Sequence, residues 1–91
     1  MIDKKIIQKI VNTYNPTLQQ VIAMEELSEL QKEISKCIRD KGNKVALIEE
    51  MADVLIMIEQ LKLIHNITED DLDKEICIKL ARTNERIKQN K

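Results

Sequence analysis

Two pairs of carboxylates, Glu26/Glu29 and Glu50/Asp53, are the residues of this chain whose spacing could do chemistry. Each pair is spaced i, i+3, which sets its two acids about 60° apart on one face of an α-helix. Gly42-Asn43 separates the two segments, so consecutive helices can fold back there and bring four acids together. Converging carboxylates repel one another and are poor core material unless a hard cation joins them. All-oxygen ligation suits Mg2+, with Mn2+ as the alternative, rather than zinc, because neither cysteine nor a histidine cluster joins in. A di-iron bundle would need Glu-x-x-His motifs. The single histidine, His65, has Lys62 three residues before it and reads as a helix C-terminal residue instead of a ligand. With one glycine there is no glycine-rich phosphate loop, and no Cys–His or Ser–His constellation suggests a nucleophile.

The elements that must position these acids are helices. The spacing predicts a first helix over about residues 3–13, with Ile6, Ile7, Ile10 and Val11 as its apolar stripe. Asn15-Pro16 supplies an N-cap and a first-turn proline for a second helix, expected to run to Lys41 and stop at Gly42. A third helix begins at Asn43 or Lys44 and continues to about His65. Thr68 with Asp71 resembles a capping box opening a fourth, whose stripe is Leu72, Ile76, Leu80 and Ile87.

The acids do not fall on the wet side of this pattern. With Ile22, Leu27, Leu30, Ile34 and Cys37 as the buried sector of the second helix, Glu26 projects between Ile22 and Leu30, and Glu29 beside Ile22 and Leu18. On the third helix Glu50 projects between Met57 and Leu61, and Asp53 beside Met57 and Ile64. Both pairs therefore break the binary pattern, as functional sites tend to do. Two structural alternatives stay open on spacing alone: an ordinary solvated face, and half-buried ion pairs with Lys36, Arg39 or Lys62.

Composition bounds the setting. The chain of 91 residues is one domain over 1–91, too short for two cores. Hydrophobic residues make up 43%, yet Tyr14 is the one aromatic, and a thin aliphatic core of this kind favours oligomerisation. Val54 to Ile58 is apolar through more than a full turn, which points to a dimer interface over a merely central bundle helix. Fifteen basic residues against sixteen acidic ones leave a net charge of -1, no footprint for a nucleic-acid polymer. The apolar runs are far short of a membrane span and the amino terminus lacks signal-peptide character, so a cytoplasmic protein is expected, with Cys37 and Cys77 as buried free thiols.

Glu25-Glu26-Leu27-Ser28-Glu29 followed by Glu50-Met51-Ala52-Asp53 resembles the EExxE…ExxD signature of the MazG-like nucleoside triphosphate pyrophosphohydrolases. Their all-α superfamily also holds the dimeric dUTPases and the phosphoribosyl-ATP pyrophosphatases. The resemblance implies an all-α, four-helix MazG-like bundle completed by dimerisation or tetramerisation. It implies Mg2+-dependent hydrolysis of a nucleoside triphosphate between the α- and β-phosphates, giving the monophosphate and pyrophosphate. Carried across, Glu26, Glu29, Glu50 and Asp53 would be the metal ligands, and Glu25 or Glu29 would accept the proton of the attacking water. Lys79, Arg82 and Arg86 on the fourth helix look like the family's triphosphate-binding bases, with Lys36 and Arg39 as secondary candidates. Relatives often stack the base on an aromatic ring; here only Tyr14 is offered. The rival readings are a non-catalytic helical interaction module with salt-bridged acids, and the same fold acting on phosphoribosyl-ATP.

Overall fold

The computed structural model describes residues 2–90, and among them it contains four helices and no strand: α1 (Lys4–Thr13), α2 (Pro16–Ile38), α3 (Lys44–Ile64) and α4 (Glu69–Gln89). Every helix starts on a side-chain cap, because the first amides of a helix have no partner within it. Asp3 accepts from the Lys5 amide at 2.9 Å, Asn15 from Leu18 at 3.0 Å and Asn43 from Ala46 at 2.7 Å. Thr68 and Asp71 form the expected reciprocal box, at 3.1 and 3.0 Å.

The end of α2 departs from expectation. The helix stops at Ile38, not Lys41, and the left-handed residue is Asp40 at φ 59°, two positions before the glycine. The Lys41 and Gly42 amides then both donate to the Lys36 carbonyl, at 2.8 and 3.1 Å. Gly42 is required for close approach and not for a positive φ: a Cβ there would stand 2.6 Å from the Cys37 Sγ and 2.9 Å from its backbone nitrogen. α3 ends in the same way, with Asn66 at φ 55° and the Ile67 amide donating to the Lys62 carbonyl at 2.8 Å.

α2 and α3 fold back as an antiparallel hairpin. The face of α2 turned inward steps alternately by four and three residues, through Gln19, Ala23, Glu26, Leu30, Glu33 and Cys37, all buried or half-buried. The facing seam of α3 is Leu47, Glu50, Val54, Met57, Leu61 and Ile64. Such spacing is the left-handed, coiled-coil-like geometry. It corrects the expected buried sector, since Leu27 and Ile34 are 50% and 46% exposed. The apolar residues alone suggested a stripe centred one flank away, whereas the seam accepts Gln19, Glu26 and Glu33 in its line.

α1 packs on α3 through Ile7, which is buried. The Lys62 ammonium is sequestered where α3 meets α4 and donates to Glu59 at 2.7 Å and to Glu69. Beyond that clasp α4 leaves the other helices. It buries no residue, Leu72 is half-buried, and Ile76, Leu80 and Ile87 are exposed. The Cα radius of gyration is 16.2 Å, against about 12 Å for a compact chain of this length. The four helices thus do not close into a bundle within one chain, because α1 already occupies part of α3 and α4 shares no extended interface with the other helices. Both cysteines are free, as expected, but Cys77 is exposed and only Cys37 is half-buried, for α4 carries Cys77 outside. Leu55 and Ile56, in the turn that was apolar all round, are also exposed. Among the described residues no helix is long and apolar enough to cross a membrane.

Candidate metal centre

Midway along the hairpin, Glu26 of α2 faces Glu50 and Asp53 of α3. One carboxylate oxygen from each lies within 4.8 Å of the other two. Glu26 and Glu50 are half-buried in the seam, and Asp53 is exposed at its edge, so the group opens to solvent on one side. Among the described residues no lysine, arginine or histidine forms an ion pair with any of the three.

The electrostatics follow from that crowding. Partial burial holds the Glu26 carboxyl above its ordinary value, helped by a hydrogen bond with Asp53 and the charges of Asp53, Glu50 and Glu29. Glu50 is raised as well, by burial first and then by Asp53, Glu29, Glu33 and Glu49. Three hard oxygen donors gathered this closely, open on one side and with no ion-pair partner among the described residues, are a donor set that suits Mg2+ or Mn2+.

No family model, curated protein or solved structure matches this chain. The candidate centre rests on its own geometry.

The other expected residues are placed differently. Glu29 is exposed and pairs with Lys32 at 3.4 Å, outside the group of three, although its charge acts on both Glu26 and Glu50. The i, i+3 spacing puts it on the flank of the seam, not in it. Glu25, the residue before Glu26, is exposed and belongs to no such group among the described residues. Lys36 is held by Glu33 at 3.7 Å, and the Arg39 Nε donates to the Ser35 carbonyl at 3.3 Å. Both line a shallow polar groove along α2 with Ser28, Lys32 and Ser35. Lys79, Arg82 and Arg86 do share one face of α4, where with Thr83 they line a shallow recess. Because α4 shares no extended interface with α2 or α3, no packing within one chain carries those bases onto the carboxylates. Tyr14 is exposed at the end of α1, about 15 Å of helical rise from Glu26.

The ion-pair alternative loses its bases by the same account. Lys62 is engaged by Glu59 and Glu69, Lys36 by Glu33, and Arg39 by a carbonyl. Sequence reasoning missed three buried polar residues of the hairpin: Glu33, Gln19 and Gln60, which are 8%, 7% and 2% exposed. The four–three alternation through Ala23, Leu30 and Cys37 was the available signal for Gln19 and Glu33.

Proposed function

We propose that this chain is a Mg2+-dependent nucleoside triphosphate pyrophosphohydrolase, cleaving between the α- and β-phosphates. One observation carries the reading: three carboxylates from two helices converge within 4.8 Å with no cation paired to them among the described residues. The resemblance of their sequence context to the MazG-like signature supplies the reaction class. Phosphoryl transfer needs charge neutralisation and positioning more than covalent chemistry, which suits a site with no nucleophile. Glu26, Glu50 and Asp53 would hold the metal. When bound, Mg2+ supplies polarisation of the phosphate oxygens and neutralises their charge. Glu29, exposed on the flank of the seam and outside the group of three, would take the proton of the attacking water; Glu25 is the second candidate. In an oligomer, Lys79, Arg82 and Arg86 from a second copy of the chain would neutralise the outgoing pyrophosphate, with Lys36 and Arg39 at the hairpin flank as the nearer candidates.

The working form in this reading is a cytoplasmic homo-oligomer, a dimer at its simplest. An isolated helix of 21 residues with exposed Ile76, Leu80 and Ile87 is marginal in water. Leu55 of α3 is exposed as well, and Ile56 is only partly covered by α1. Sedimentation should give at least twice the mass of the chain; a monomer at micromolar concentration would remove this part of the proposal.

The reading is tested by a pyrophosphate-release screen of canonical and deoxynucleoside triphosphates, with and without Mg2+. Pyrophosphate and monophosphate should appear together and only with metal. Release of orthophosphate alone, or no turnover of any substrate, would count against it. The second reading, a non-catalytic interaction module, is favoured by the exposed apolar faces and expects Mg2+ to leave the melting temperature unmoved.

A further inference from the structure

The most buried polar side chain of the hairpin is not an acid. Gln60 is 2% exposed, and its Oε1 accepts from the Nε2 of Gln19, itself 7% exposed, at 2.9 Å across the α2–α3 seam. The Gln60 Nε2 turns back to the Met57 Sδ at 3.4 Å, so both amides are satisfied. Moving seven residues toward the turn on each helix leads from Gln19 to Glu26 and from Gln60 to Asp53. The amide pair and the carboxylates are thus successive rungs of one antiparallel register, two helical turns apart.

That register needs holding. The remaining seam residues near the acids, Ala23, Leu30, Val54, Met57 and Leu61, are aliphatic or methionine, and such surfaces repack with little preference for one alignment. The carboxylates themselves push the helices apart until a cation joins them. A slip of one turn, about 5.4 Å, exceeds the 4.8 Å across which the three oxygens are gathered. The Arg39–Asn43 connection fixes one end of the hairpin; the amide pair lies toward the other, with the acids between. A buried amide at a seam position specifies alignment at a cost in stability, the known use of asparagine in coiled coils.

We infer that the Gln19–Gln60 amide pair is a register clamp that positions Glu26 against Glu50 and Asp53 for a divalent cation. This deepens the metal-site reading and rests on it. The clamp makes no contact with the ion; it acts through helix alignment.

The test is Mn2+ binding, followed by the loss of the free-ion paramagnetic resonance signal, alongside melting of the metal-free protein. Replacing both residues, Gln19→Leu with Gln60→Leu, leaves no orphaned amide and adds apolar area to the seam. The double variant should melt at or above the wild-type temperature while its Mn2+ dissociation constant rises about 10- to 100-fold, the usual span for residues that orient metal ligands. Gln60→Glu keeps the acceptor for Gln19 and should hold affinity within about threefold of wild type, well short of one decade. A purely structural role predicts the reverse, affinity that follows melting temperature in every variant. Equal Mn2+ affinity in the double variant and the wild type would overturn the clamp and leave the metal site standing. Absence of Mn2+ binding by the wild type would overturn both. Should the double variant fail to fold, Gln19→Met is read in the same assay, and unchanged affinity there likewise overturns the clamp.

Discussion

Glu50→Gln should abolish metal-dependent pyrophosphate release while leaving the helical circular dichroism intact. Glu50 sits in the seam, half-buried, with Asp53 and Glu26 as the neighbours that share its oxygen cluster. The amide keeps the volume and the packing against α2 but removes a charge and an anionic donor. Residues that merely orient a metal ligand cost 10- to 100-fold when changed, so loss of a ligand should exceed about 100-fold. The metal-free variant should melt no lower than the wild type, because the substitution relieves repulsion among carboxylates whose charged forms are already disfavoured. Turnover at the wild-type rate, or a variant that no longer folds, would remove Glu50 from the metal site. Glu25→Gln offers the contrast: an exposed side chain outside the cluster, its loss should leave Mn2+ binding intact.

The second large effect is a reversal of the pH dependence of stability by Mg2+. In the folded, metal-free protein the Glu26 and Glu50 carboxyls are both held above the ordinary value of 4.5. A raised carboxyl contributes stability that is fully present below the unfolded value and lost as pH rises through the folded one. Metal-free protein should therefore lose melting temperature from about pH 4.5 upward, across the window set by those two groups. Asp71 and Glu69 act oppositely and lower down. Hydrogen bonds to Thr68 hold Asp71 below 3.8, and the Lys62 ammonium holds Glu69 below 4.5. Their stabilisation is lost as pH falls through those depressed values, which places the metal-free optimum in mildly acidic solution. Mg2+ competes with protons for the same oxygens, so its stabilisation should grow as pH rises. At a hundredfold excess over its dissociation constant it supplies about 2.7 kcal/mol, of the order of 10 °C or more for a domain this small. Thermal melts at pH 5 and pH 8, with and without millimolar Mg2+, decide the point. Identical shifts at both values would show that the ion does not bind where protons do.

Much of this architecture was legible in the chain because its signals are local. The caps at Asn15, Asn43 and Thr68 act within three residues, and the starts of α2, α3 and α4 follow from them. The alignment of Glu26 with Glu50 and Asp53 was foreseeable from i, i+3 spacing on two helices joined by a short turn. The fate of Glu29 was not. Spacing places it within about 60° of Glu26, and whether that arc falls inside or outside a seam depends on which stripe the partner helix selects. Here the stripe runs through Gln19, Glu26 and Glu33, so Glu29 lies on the flank and pairs with Lys32. The position of Lys79, Arg82 and Arg86 was likewise beyond reach: their common face is a property of α4, but what that face meets is a property of packing.

The sequence by itself determined four helices, the starting caps of the last three and the two carboxylate pairs, since hydrogen bonds to the nearest amides and a 3.6-residue period need no distant partner. Only the tertiary structure decided which acids share the seam, that Gln19 and Gln60 join across it, and that α4 stands apart. Those outcomes follow from the alignment of whole helices, where an aliphatic surface permits several answers and a few buried polar atoms choose among them.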